Sequence, residues 1–176
     1  ARADHEDVLK HWEGLGYYRR ILHLHRAARM VCENGGVIPD NAEALRALPG
    51  VGEYTAAAIA SIAFNRPEAA VDGNVARVFA RLFALQERQG SPAQSKRCWQ
   101  LAEQLVPQRE APAGARPGDW NQALMELGAC LCTPSDPRCA ECPVASLCAA
   151  RRTGRERALP RKGAPRAALA VPGWQG

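Results

Sequence analysis

Four cysteines within 17 residues place the tightest constraint on what this chain can fold into. Cys132, Cys139, Cys142 and Cys148 have the spacing C-x6-C-x2-C-x5-C, in a loop that also carries Pro134, Pro137 and Pro143. Thiolates this close together repel one another unless a cation sits among them, so the loop is expected to close around one metal centre. All-sulfur ligation suits zinc or a [4Fe–4S] cluster, and structural zinc sites more often draw on two short cysteine pairs. The chain has seven cysteines in all. An odd total with local clustering argues against a disulfide scaffold. Cys32, Cys98 and Cys130 fall outside the pattern and are expected in the core.

The rest of the chain reads as all-α, because its apolar residues recur at helical spacing almost throughout. Short helical patterns run from about residue 5 to 13 and, after Gly14 and Gly16, from residue 17 to about 33. In the second, Ile21, Leu22, Leu24, Ala28 and Val31 form a stripe, and Asn34-Gly35-Gly36 supplies a left-handed stop. Asp40 with Glu43 resembles a capping box opening a helix to about Leu48. Further helices are expected from residue 53 to about 63, from Asp72 with Val71, Val75, Val78, Phe79 and Leu82 on one face, and over 93–106 and 119–130. Residues 131–148 read as a cysteine-rich loop with one short helix. The organisation expected is a helical lobe over 1–90, a cysteine-loop lobe over 91–150, and a basic linker or tail over 151–176.

Charge says less than its total suggests. Of the net +5, residues 151–176 hold seven basic side chains and one acid, leaving the body slightly acidic. Nucleic-acid contact by the body would have to come from local geometry and a few placed cations. No apolar run is long enough for a membrane span, and no signal peptide is visible at Ala1-Arg2-Ala3-Asp4. With no initiating methionine, the chain reads as an interior piece of a longer protein.

Three short motifs carry chemistry. Leu48-Pro49-Gly50-Val51-Gly52 joins two helical segments, and a helix starting at such a turn aims unpaired N–H groups outward, a natural phosphate site. Asp72, in Val71-Asp72-Gly73-Asn74-Val75, stands where an N-cap carboxylate would, worth ~1 kcal/mol. Leu15-Gly16-Tyr17-Tyr18 puts two tyrosines after a flexible glycine. An aromatic side chain there could act as a wedge in unstacking a base. Tyr18 is expected to pack in the core.

Taken together these motifs resemble the adenine DNA glycosylases (MutY family) of the helix-hairpin-helix, iron–sulfur class. The resemblance spans roughly residues 5–150, and Ala115–Asp119 and Asn121–Ala129 resemble the vertebrate branch. It implies a helix-hairpin-helix glycosylase fold with a helical barrel lobe and a cluster lobe. Cys132, Cys139, Cys142 and Cys148 would hold a structural [4Fe–4S] cluster, and Gly50, Val51 and Gly52 would meet the phosphates of one DNA strand. Arg138, just before the second cysteine, would reach a phosphate, and Tyr17 would intercalate beside the damaged partner base. Asp72 would be the catalytic carboxylate that stabilises an oxocarbenium-like sugar, supported by Asn74. Bifunctional relatives have Lys where this chain has Tyr54, so the resemblance implies a monofunctional enzyme with water as the final nucleophile.

The activity so implied is base-excision repair: hydrolysis of the N-glycosidic bond of adenine opposite 8-oxoguanine or guanine in duplex DNA. A monomer in the nucleus and mitochondrion, with no membrane partner, is expected. Two departures bear on activity. The family's glutamate that protonates the leaving adenine lies on an upstream helix, and none of Asp4, Glu6, Asp7 or Glu13 sits in that motif. The family's domain that recognises 8-oxoguanine is also not represented, and Val171–Gly176 matches nothing in the family. Three other readings follow: a binding piece without turnover, an endonuclease III-like glycosylase for oxidised pyrimidines, which Tyr54 and Leu15–Tyr18 oppose, and a zinc structural protein.

Overall fold

The computed structural model describes residues 1–108 and 114–162, so the end of the tail (163–176) lies outside the described residues. The described chain is helical, and its sole extended pairing is an isolated bridge between Arg88 and Arg161. In chain order the helices are α1 (His5–Lys10), α2 (Arg19–Glu33), α3 (Ala42–Arg46), α4 (Glu53–Phe64), α5 (Gly73–Leu82), α6 (Pro92–Leu105), α7 (Pro117–Glu126) and α8 (Ala149–Arg152). None is long and apolar enough to cross a membrane.

Local chemistry accounts for most boundaries. Asp4, Ser91 and Asp72 each accept a hydrogen bond from the third residue beyond, the N-cap geometry that satisfies an orphan amide. Pro92 and Pro117 begin α6 and α7, where a missing N–H costs nothing. The capping box expected at Asp40 is displaced by one residue. Asn41 caps α3 through Ala44 N, because Asp40 is drawn away into an ion pair with Arg66. The Arg66 hydrogen bond is the main cause that holds the Asp40 carboxyl below the usual carboxylate range.

Two apolar clusters form. One gathers Ala42, Leu45, Ala56 and Ala60 from α3 and α4. The larger takes Val75, Val78 and Phe79 from α5, Cys98 and Leu101 from α6, and Leu124 from α7. Small residues let α4 and α7 approach closely. A Cβ on Gly118 would stand 2.7 Å from the Ser61 carbonyl oxygen. Buried Asn121 ties α7 to Ser61 Oγ in α4 (2.8 Å) and to Glu68 O in the segment after it (2.8 Å).

Several expectations need correction. The inward face of α2 is set by Ile21, His25 and Ala27, while Leu24 is 58% exposed; the helix meets its neighbour through His23, not through Leu24. Tyr18 is 49% exposed, because it occupies the N-cap position of α2, ahead of the first packed turn. Cys32 and Cys130 are exposed and only Cys98 is buried, where burial, with a smaller push from Glu87, raises its thiol to about 11. The helix expected to run through residue 130 ends at Glu126 and continues as a π-helical turn, Leu127–Leu131. Residues 153–162 are not free linker: Leu159 is buried and its carbonyl accepts from Arg81 Nε at 2.8 Å.

Candidate nucleic-acid interface and excision centre

The turn between α3 and α4 fits glycine at position 50 for two reasons. Gly50 has φ +78°, and a Cβ there would lie 2.5 Å from His23 Cβ. The turn is thus seated directly on α2. Gly52 caps α4 without any side-chain hydrogen bond, so the first amides of a 12-residue helix face outward with the positive end of its dipole. Val51, between the two glycines, is half-buried against the α3–α4 cluster.

Tyr54, in the first turn of α4, crosses to α7, where its hydroxyl donates to Met125 Sδ at 3.2 Å. Burial, and then the Asp72 carboxylate, push its phenol above the ordinary value, so it stays neutral.

Asp72 uses both carboxylate oxygens. Oδ1 accepts from Val75 N (2.8 Å), which caps α5, and Oδ2 accepts from Asn74 Nδ2 (3.0 Å). Asn74 Oδ1 in turn accepts from Arg77 Nη2 (2.8 Å), and the same nitrogen donates to Gly128 O (2.9 Å). Arg77 Nε donates to Cys132 O at 2.8 Å. A continuous run of hydrogen bonds thus leads from the Asp72 carboxylate to the backbone of the first loop cysteine. Burial lowers the affinity of Arg77 for its proton, an effect opposed by Cys132 and Asp72, yet an arginine holds its charge at any ordinary pH.

One turn further along α5, Arg81 is 2% exposed. It donates to the carbonyls of Cys132 (3.1 Å), Thr133 (2.7 Å), Pro134 (3.0 Å) and Leu159, and to Cys132 Sγ (3.2 Å). Cys148 Sγ lies 3.5 Å from Arg81 O. Cys132, Cys139, Cys142 and Cys148 line one cavity with Arg81, Arg138, Arg151 and Glu156. Burial pushes the Cys139 thiol up, with Glu156 and the other three cysteines adding to it. Among the described residues no three His, Cys, Asp or Glu side chains are arranged to hold a single ion. The four thiols instead stand around a shared space. An all-thiol donor set with an arginine N–H on one sulfur fits a thiolate-bound metal centre.

Tyr17 stands apart from this network, and Arg138 sits at the outer rim of the cysteine cavity. Tyr17 is 83% exposed with φ +47°, a left-handed conformation that costs a non-glycine residue roughly 1 kcal/mol. The turn behind it is closed by Trp12 Nε1 donating to Gly16 O at 2.8 Å. Arg138 is half-exposed, paired with Glu141 and bonded to Cys130 O. Sequence reasoning missed Arg77, Arg81, Met125 and Gly128. The available signal was two arginines four residues apart on a helix otherwise facing the core.

A helical fold with a glycine hairpin, an aspartate capping the helix after it and a four-cysteine loop defines the helix-hairpin-helix class of DNA glycosylases. Residues 1–104 match the family described as HhH-GPD superfamily base excision DNA repair protein, and the chain belongs to that family. It is 53% identical over 154 residues to the adenine DNA glycosylase of Homo sapiens, covering 86% of this chain and 27% of the human protein. To the adenine DNA glycosylase of Mycobacterium tuberculosis it is 39% identical, over 98% of this chain and 54% of that protein. It superposes on a thermostable thymine-DNA glycosylase with TM-score 0.73 at 33% identity, covering 86% of this chain and 68% of that one. An endonuclease III trapped as a covalent intermediate on DNA shares the fold at TM-score 0.66 and 24% identity, covering 86% and 68%. The chain spans between about a quarter and a third of the mammalian relatives it matches.

Proposed function

We propose that this chain carries the DNA grip and the cation-stabilising carboxylate of a monofunctional adenine DNA glycosylase, acting on adenine opposite 8-oxoguanine or guanine in duplex DNA. The observation that carries the reading is Asp72. Its carboxylate is fixed from two sides, by Val75 N and Asn74 Nδ2, and it faces a neutral Tyr54 where an amine nucleophile would stand. A carboxylate so held is pre-oriented toward positive charge developing on a sugar as the glycosidic bond breaks. With no amine at position 54, water completes the hydrolysis and no Schiff base forms.

The remaining residues take supporting roles. Amides of Gly50, Val51 and Gly52 grip one phosphate strand, Tyr17 presents an aromatic wedge, and Arg138 adds a phosphate contact from the cysteine loop. The four cysteines are read as holding a [4Fe–4S] cluster, which supplies fixed loop geometry, not chemistry at the base. Arg81 orders the loop's carbonyls around it. The enzyme is expected to act as a monomer in the nucleus and mitochondrion.

A second reading, a DNA-binding module without turnover, rests on the hairpin, whose uncapped first amides of α4 would grip a phosphate with no chemistry at the sugar. A single-turnover assay on cluster-loaded chain separates the readings. Adenine release from a duplex with adenine opposite 8-oxoguanine, with no borohydride-trapped adduct, supports the proposal. Tight, salt-dependent binding without release selects the second reading. A trapped adduct, or release of an oxidised pyrimidine instead, overturns both.

A further inference from the structure

Asp72 is held by Asn74, and Asn74 is held from behind by a residue with no side chain. Gly128 is the second residue of the π-helical turn and is buried. A Cβ on it would lie 2.6 Å from Asn74 Cβ and 3.0 Å from Asn74 Cα and C, well inside ordinary van der Waals separation. Its φ is not in the left-handed region, so no backbone conformation demands glycine there; the requirement is space alone. Its carbonyl also accepts Arg77 Nη2, the nitrogen that orients Asn74 Oδ1. The π-turn explains how this contact arises. One extra residue per turn brings the Gly128 backbone up against the start of α5, a geometry that π-bulges often supply at functional sites.

We infer that Gly128 is a positioning residue for the excision step. Its bare backbone is the seat that sets Asn74, and through Asn74 the Asp72 carboxylate. Any side chain at 128 pushes the first turn of α5, the turn that carries Asp72 and Asn74, and so misplaces the carboxylate without touching DNA. This inference rests on the reading of Asp72 as the group that stabilises the sugar cation.

The structure supplies its own control. Gly118 is equally crowded, at 2.7 Å from Ser61 O and 2.8 Å from Ile62 Cα, but it lies between α4 and α7 with no bond to Asn74 or Asp72. Gly118→Ala and Gly128→Ala both overpack a helix contact, and a merely structural role predicts the same behaviour from both.

The probe is a duplex carrying a cationic pyrrolidine in place of the target sugar, compared with a neutral tetrahydrofuran abasic analogue. The ratio of the two affinities reads the placement of Asp72 without needing turnover, since a mimic of the developing charge binds through transition-state contacts. The unaltered chain should prefer the cation. In Gly128→Ala this preference should fall about tenfold or more, with the neutral analogue bound as before, and in Gly118→Ala it should persist. Asn74→Gly removes the closest atom, so Gly128→Ala/Asn74→Gly should fold even where the single variant does not. It should match Asn74→Gly alone, a non-additive pair. Equal preference in Gly128→Ala and the unaltered chain, or a double variant weaker than Asn74→Gly by the sum of the two effects, overturns the inference. An unaltered chain with no preference for the cation overturns the reading of Asp72, and this inference with it.

Discussion

On the proposed reading, the hairpin and the start of α5 offer a DNA partner two surfaces of opposite character. At the hairpin, polar groups are left unpaired on purpose. Gly52 brings no side-chain cap to α4, and Tyr17, before α2, is exposed in a strained backbone conformation. At α5 almost every polar atom is paired, from the Asp72 cap through Asn74 and Arg77 to Cys132 and Arg81. A surface that grips a regular, repeating phosphate backbone needs only free amides. A carboxylate that must meet a short-lived charge needs to be immobile before the charge appears. The difference teaches where mutations should act: on stability and chemistry at α5, and on DNA affinity at the hairpin and wedge.

The largest effect should come from Arg81. Arg81→Leu leaves the carbonyls of Thr133, Pro134 and Leu159 without their donor and takes one of two donors from the Cys132 carbonyl. At about 1–3 kcal/mol for each orphan, the loss should exceed ~3 kcal/mol, read as a lower thermal midpoint and, for the proposed cluster, a loss of iron content. An Arg81→Leu protein as stable and as iron-rich as the unaltered chain would break the claim that α5 is the rigid side.

Gly50→Ala sits at the boundary between the two regions. It forces a Cβ into His23 and into a left-handed backbone, costing about 1–3 kcal/mol by overpacking. Duplex affinity should fall more than denaturant midpoints alone would suggest, because the phosphate-facing amides move with the turn. Tyr17→Gly should do the reverse. Relieving a left-handed tyrosine stabilises by up to ~1 kcal/mol, while binding to a lesion-bearing duplex weakens; stability and binding moving together would blur the comparison.

The smallest effect belongs to Asp40 and Arg66. The Asp40 carboxyl is held below its ordinary range by Arg66, so the pair stabilises the fold above the unfolded carboxyl's value of about 4. That contribution disappears as pH falls through the lower folded value. Arg66→Ala should flatten the acid end of the stability curve slightly and leave neutral-pH DNA binding unchanged.

What could be read from sequence was local. Asp72, its cap and the helix after it are set within four residues, and the hairpin's glycines within five, so both were legible. That the four loop cysteines gather around one cavity was legible because their spacing is itself the signal. Arg77 and Arg81 were not, since their acceptors at Gly128, Cys132, Thr133, Pro134 and Leu159 lie more than fifty residues away in sequence. Asp40 misled because a distant arginine outcompeted the local amide. Cys130 misled because the π-turn rotates it outward while carrying Gly128 in.

Asp72 serves both as helix cap and, on this account, as catalytic group, and one substitution separates the roles. Asn accepts a capping hydrogen bond about as well as Asp but carries no charge. The measurement is the affinity ratio for cationic over neutral sugar analogues in duplex DNA, taken with thermal unfolding, for the unaltered chain and Asp72→Asn. The account predicts a modestly lower unfolding midpoint, since the new amide keeps the Val75 cap but cannot accept from Asn74 Nδ2, and a preference for the cation reduced to nothing in the folded protein. A variant that still prefers the cation, or loses that preference only by unfolding, would contradict it.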